Sequence, residues 1–193
     1  MSEVMVLVEG IAREVKNGWV ASSTVVLIKD NGKNIIVDPG CNRNKLLSAL
    51  KKEGLKTGDI DFVLLTHNHT DHTLLAGIFE NAKVLNTYEI YDNDMQMDHN
   101  NKVPGTSLKI IHTPGHSGEH IAIVVPTDDG VYVVAGDCFW WTDDEKQVMD
   151  IDKVDDVHPE EMDMKKLIES RKKILEAADY VIPGHGKMFK VEK

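Results

Sequence analysis

The chain has only two cysteines, Cys41 and Cys138, in 193 residues. Two thiols cannot build a disulfide framework, and a reducing compartment suits such a composition. Aromatic residues are sparse, at 6%. No stretch approaches the ~20 consecutive apolar residues of a membrane span. The start, Met1-Ser2-Glu3-Val4, has neither the basic nor the apolar region of a secretory signal. These absences predict a cytoplasmic protein with no membrane partner. Basic residues are also few, 22 against 32 acidic ones, for a formal net charge of −10. A surface of that sign repels phosphate backbones, which disfavours nucleic acid as a partner without excluding it. The remaining composition, 41% hydrophobic and 28% charged, is that of an ordinary folded chain. Its length predicts one domain over residues 1–193 with a core of its own.

What the chain does have is nine histidines, and their placement depends on the order of elements. Val4 to Val8 reads as a strand. Ser22 to Ile28 and Asn34 to Val37 flank Asp30-Asn31-Gly32, a strong hairpin signal. Asn44 to Glu53 carries Leu46, Leu47 and Leu50 at helical spacing, with Gly54 at its end. Phe62 to Thr66 is a buried type of strand that runs into His67-Asn68-His69-Thr70-Asp71-His72. Leu74 to Phe79 reads as a short helix beginning at that cluster, and Val84 to Asn86 as another strand. Tyr88 to Gly105 has no clear period. Leu108 to His112, Ile121 to Val125 and Val131 to Ala135 are strands. Met164 to Ala178 is an amphipathic helix, with Leu167, Ile168, Ile174 and Leu175 opposite Lys165, Glu169, Arg171 and Lys172. Tyr180 to Ile182 is a last strand before Pro183-Gly184-His185-Gly186. Two halves, each of strands with one helix, predict an α+β fold with sheets sandwiched between helices, a four-layer αββα arrangement.

His67-x-His69-x-Asp71-His72 packs three imidazoles and a carboxylate into six residues. Zinc takes such donors at ~2.0–2.2 Å from rigid backbone. A loop leaving a strand end can send alternate side chains two ways, so His67 and His69 could serve one ion, and Asp71 and His72 a second. Four donors do not fill two sites. Three more candidates each follow a predicted strand beside glycine: His116 in Thr113-Pro114-Gly115-His116-Ser117, Asp137 in Ala135-Gly136-Asp137-Cys138, and His185. Glycine there permits a tight turn and close backbone approach.

In this motif and order the chain resembles the metallo-β-lactamase fold superfamily of metallohydrolases. Within it, the chain is similar to small glyoxalase-II-like hydrolases. Val133 to Phe139, Ser170 to Leu175 and Ala178 to Pro183 most resemble the branch of metallo-β-lactamase domain-containing protein 1. The resemblance implies a metallo-β-lactamase fold and two metal ions. His67, His69 and His116 would hold the first, Asp71, His72 and His185 the second, and Asp137 would bridge them. It implies a metal-bridging hydroxide that attacks a small ester, thioester or lactone, with Asp71 as the orienting, catalytic carboxylate. An all-imidazole first trio favours Zn2+, although imidazole also suits iron and manganese. The di-iron oxygen and nitric-oxide reductases of the superfamily place Glu where His69 stands. Two alternatives are a mononuclear-iron sulfur dioxygenase and a metal-dependent endoribonuclease or phosphodiesterase.

Other residues take secondary places. Asp38 is expected behind a ligand imidazole, fixing its tautomer. Cys138 is expected to point away from Asp137 and to pack as a small apolar group, and Cys41 to lie at the surface or in packing. His99, His112, His120 and His158 are expected to be surface or core residues without a metal role. Full glyoxalase II enzymes carry an extra helical domain, for which no length remains after His185. Contacts to a small-molecule substrate are therefore expected from Tyr88–Gly105 and Phe139–Met149, with Phe139-Trp140-Trp141 as an apolar wall. A homodimer is compatible with the resemblance.

Overall fold

The computed structural model describes residues 2–155, 157, 160 and 162–192. Along the chain run β1 (Glu3–Val8), β2 (Ile11–Val15), β3 (Gly18–Ser22), β4 (Val25–Asp30), β5 (Lys33–Val37) and α1 (Arg43–Lys52). Then come β6 (Phe62–Leu64), α2 (Thr70–Thr73), β7 (Lys83–Leu85), β8 (Glu89–Asp92), β9 (Met95–Asp98) and β10 (Lys109–His112). The chain continues with β11 (Ile121–Thr127), β12 (Gly130–Trp140), α3 (Met164–Ala177), β13 (Tyr180–His185) and β14 (Phe189–Lys190).

Seven strands form one sheet in the order β1-β4-β5-β6-β7-β8-β9, five form a second in the order β10-β11-β12-β13-β14, and β2 pairs with β3. The period of two in β4 and β5 explains the layering. Val26, Ile28, Ile35 and Val37 face the apolar layer between the sheets, together with Ile121, Ile123 and Ile182 from the second sheet. Their neighbours Val25, Leu27 and Ile36 face outward onto Leu46 and Leu50 of α1. On the far side, Leu167 and Ile174 of α3 cover Val133, Ala135 and Val181. The αββα sandwich expected from the element order is therefore the one observed.

Turn chemistry agrees at the first hairpin. Asn31 and Gly32 both take positive φ, 48° and 75°, as a two-residue turn matched to strand twist requires. Asn42 accepts a side-chain bond from Lys45 N–H at the start of α1, and Lys51 and Lys52 lie in its last turn, where they complement the helix dipole.

Two expectations need correction, and a stretch without a clear period takes a definite structure. The helix read over Leu74–Phe79 starts earlier, as α2 inside the histidine cluster, and a separate 3-10 turn covers Ala76–Ile78. Tyr88 to Gly105 contains the β8–β9 hairpin at the end of the larger sheet. Its strands were hidden because they alternate weakly and carry polar residues on an exposed edge. Arg171 does not share the wet face of α3; it is 1% exposed. Helical spacing places it between Leu167 and Ile174, and its guanidinium is satisfied by backbone carbonyls, as described below. Among the described residues, no helix is long and apolar enough to cross a membrane.

Candidate metal centre

One end of the sandwich collects the chemistry. β6 is buried throughout and hydrogen-bonds in parallel to β5 and β7. Its continuation delivers Thr66, His67 and His69, and α2 then supplies Asp71 and His72. The ends of parallel strands are where open α/β sheets place ligands. His116 comes from the turn between β10 and β11, Asp137 from within β12, and His185 from the last position of β13. The pairing of β12 with β13 slips on both sides of Gly136, which has φ 50°. Such an irregularity re-aims the next side chain, here Asp137. A Cβ at Gly184 would overlap Asp137 Oδ1, so only glycine leaves that carboxylate its place.

All seven predicted donors meet in two groups, His67, His69, His116 and Asp137, and Asp71, His72 and His185, with the donor atoms of each group within 4.8 Å of one another. Asp137 lies between them. Its Oδ2 is 3.4 Å from His116 Nε2, 3.6 Å from His185 Nε2 and 3.8 Å from His67 Nε2, while Oδ1 is 3.2 Å from His72 Nε2. Asp71 Oδ2 lies 3.3 Å from His185 Nε2, and His69 Nδ1 lies 3.1 Å from His116 Nε2. Donors bound tetrahedrally to zinc at ~2.1 Å stand about 3.4 Å apart, so these separations are the right size for ions among them.

Four imidazoles are gripped from behind. His67 Nδ1 is 3.0 Å from Thr66 Oγ1, His72 Nδ1 2.8 Å from Asp38 Oδ2, His116 Nδ1 2.5 Å from Asp155 Oδ2, and His185 Nδ1 3.0 Å from the Ile11 carbonyl. Each contact suits an Nδ1–H donor and turns Nε2, the atom an ion would take, toward the centre. His67 Nε2, His72 Nε2 and Asp137 Oδ1 are buried with no hydrogen-bond partner. Buried polar atoms are rarely left so, and bound cations are the partners that would satisfy all three. The donor set therefore fits a metal centre.

Charge follows the same geometry. Burial pushes the His67 imidazole well below its usual range, and neighbouring His72 adds to this. Burial also opposes charge on His72 and His185. The Asp137 carboxylate outweighs it in both, with Asp38 helping at His72 and Asp71 at His185. His72 is thus raised well above the usual histidine range, and His185 to about 9. Asp137 is held well below the carboxylate range: burial would raise it, but His72 and His185 prevail.

Asp38 lies behind His72. Besides His72, it accepts bonds from Thr66 N–H at 2.8 Å and Thr66 Oγ1 at 2.7 Å. Cys138 faces away as expected, into the layer under α3. His99 is a satisfied buried residue, bonded at Nε2 to the Thr87 carbonyl and at Nδ1 to Asn101 N–H. His112 is exposed. His158 lies outside the described residues. His120 is buried but is not a bystander. Its ring stacks on His67 at 4.9 Å, and its Nε2 accepts from Asp137 N–H at 3.2 Å. Sequence reasoning missed this because a histidine before a strand has no distinguishing pattern. It also missed Asp155, which lies in an irregular acid-rich stretch.

A cavity of about 170 Å³ reaches the centre. It is lined by His69, Asp71, His116, Asp137 and His185, and by Ala12, Trp19, Ala21, Trp140 and Val157. The expected contribution of Tyr88–Gly105 is not observed, since that hairpin lies at the far end of its sheet. The β2–β3 hairpin takes its place. Asn17-Gly18 between two apolar runs was its available signal. Of the aromatic triplet, Trp140 alone lines the cavity, while Phe139 and Trp141 pack in the core.

Comparison with known proteins agrees with this geometry. Residues 18–105 match the family described as the metallo-beta-lactamase superfamily. Metallo-beta-lactamase domain-containing protein 1 of Xenopus laevis is 32% identical, over 98% of this chain and 82% of its own. The chain spans 59–63% of the rat, mouse and human proteins of that name. A hydroxyacylglutathione hydrolase of Rhodopseudomonas palustris is 34% identical over 45% of this chain and 36% of its own. A crystal structure from Thermotoga maritima, of metallo-beta-lactamase type, superimposes with a TM-score of 0.71 at 21% identity, covering 98% of this chain and 99% of that one. Fold and donor set together define a metal-dependent hydrolase. The chain belongs to the metallo-beta-lactamase superfamily.

Proposed function

We propose that the protein is a dinuclear zinc hydrolase acting on a small ester, thioester or lactone. One observation carries the reading: seven donors converge as two trios, with the Asp137 carboxylate between them. That is more than one ion requires, which favours two metals over a mononuclear iron site. Divalent cations held there would supply Lewis acidity toward water and an electrophilic carbonyl. His67, His69 and His116 would hold one ion, and Asp71, His72 and His185 the other. Imidazole suits zinc and iron, and the carboxylates of the centre also suit manganese.

The chain's own groups do the rest. Asp71 is the more exposed carboxylate of the centre, at 24% of its side chain against 7% for Asp137, so it is the one able to orient a water and take its proton. Trp19, Trp140, Ala12, Ala21 and Val157 form an apolar recess beside it, suited to an uncharged acyl group. Among the described residues, the recess has no Lys or Arg in its lining, which favours a small acyl compound over a phosphodiester. The Rhodopseudomonas palustris relative is named for an acyl thioester substrate, which points the same way. The test is metal analysis of protein purified without added metal, followed by a panel of thioesters, lactones and single-stranded RNA. Two zincs per chain and acyl hydrolysis, abolished when His67 and His69 are both changed to Ala, are expected. One iron per chain, or turnover unaffected by the double change, overturns the reading.

A further inference from the structure

Asp155 is the least anticipated group near the centre. It is 1% exposed and belongs to neither donor trio. Its Oδ2 lies 2.5 Å from His116 Nδ1, on the far side of that ring from Asp137, which faces His116 Nε2 at 3.4 Å. A carboxylate costs several kcal/mol to bury unless it is paired, so its position calls for partners that repay it: His116 first, with the Trp140 side chain second.

Among the described residues, the stretch leading to Asp155 forms no helix or strand, yet it is tied down at several points. Arg171 reaches across from α3. Its Nε donates to the Cys138 carbonyl at 2.7 Å, and its Nη1 donates to the carbonyls of Ile151 at 2.9 Å and Lys153 at 2.6 Å. Lys153 Nζ in turn donates to the Trp140 carbonyl at 2.7 Å and sits 4.8 Å from the centre of the Trp140 ring. A planar guanidinium can hold three carbonyls of two chain segments in one geometry, which a lysine cannot. The result fixes the backbone two residues before Asp155 against β12, the strand that also supplies Asp137.

We propose that Asp155 is a positioning residue for the metal centre, holding the His116 ring and its tautomer through Nδ1–H so that Nε2 is presented to the ion. The inference rests on the reading of His116 as a metal donor. Arg171 acts one step further out by placing the loop. Partners of this kind raise ligand basicity and restrict ring rotation, and their loss commonly weakens metal binding 10–100-fold.

The experiment is zinc binding to the full chain by chelator competition, compared among the parent, Asp155→Asn, Asp155→Ala and His116→Ala, with the thermal midpoint of the metal-free proteins recorded alongside. Asp155→Ala is expected to weaken one zinc about 10–100-fold. Asp155→Asn keeps an acceptor for Nδ1–H and is expected to recover part of that loss. A purely structural role would lower the thermal midpoint and leave the zinc constant unmoved. If His116→Ala loses a zinc while both Asp155 variants bind within about twofold of the parent, the inference is overturned and the metal-centre reading stands. If His116→Ala itself binds zinc like the parent, the metal-centre reading fails instead. Should Asp155→Ala not fold, Asp155→Asn decides alone: weakening supports the inference, and parental affinity overturns it.

Discussion

Replacing Asp38 with Ala tests how far the centre depends on its support. The carboxylate is 1% exposed and accepts three bonds, from Thr66 N–H, Thr66 Oγ1 and His72 Nδ1, at 2.7–2.8 Å. Alanine leaves a buried N–H and a buried imidazole without acceptors. Each orphan costs about 1–3 kcal/mol, and removing one partner of a buried ionic pair costs about 3–5 kcal/mol. These overlap, so they do not simply add. Asp38 also has φ 48°, where alanine is strained by about 1 kcal/mol more than aspartate or asparagine. The expected loss is about 4–5 kcal/mol, a large share of the ~5–15 kcal/mol that holds a domain. Asp38→Asn tolerates the backbone angle and keeps one acceptor, so about 1–2 kcal/mol is expected. Urea unfolding followed by circular dichroism, with chelator present, measures both. An Asp38→Ala protein within about 1 kcal/mol of the parent would refute the reasoning, as would equal losses for the two variants.

Metal binding should release protons. In the metal-free chain the carboxylates of Asp137 and Asp71 overcome burial and raise His185 to about 9, so at pH 7 its Nε2 carries a proton that an ion must displace. Apparent affinity then rises with pH up to about 9, and calorimetry in buffers of different ionisation heat should show at least one proton released per chain; buffer-independent heats would contradict this. Without metal, that same proton contributes stability that is fully present below about pH 6.5 and lost as pH rises through about 9. The two cysteines should separate cleanly. Burial pushes the Cys138 thiol up to about 12, whereas Cys41 is partly exposed. Alkylation near pH 8 should therefore add one group to the native chain and two after unfolding, by mass spectrometry. Two adducts on the folded protein would place Cys138 wrongly.

The histidine cluster was legible because its donors are neighbours in the chain. His67, His69, Asp71 and His72 lie on one strand end and the first turn after it, and both the spacing and the residue types speak for a metal. His116, Asp137 and His185 were legible more weakly, each through a glycine beside it. Asp155 and Arg171 were not legible. One lies in an acid-rich stretch with no period, and the other matches the polar face of its helix by composition while being buried by position. His120 and the β2–β3 hairpin were similarly hidden, although Asn17-Gly18 offered a local signal for the hairpin.

The order of strands and helices, the turn at Asn31-Gly32, and the seven donors are local properties, written in residue type and spacing over a few positions. They set the layer architecture and the chemistry of the centre. Only the tertiary structure decided which atom of each ring faces the centre, since tautomer and orientation depend on what lies behind the ring. Three of the four partners come from far along the chain: Asp38 for His72, the Ile11 carbonyl for His185, and Asp155 for His116. Packing of the two sheets brings them together, and no window of sequence contains both members of any such pair.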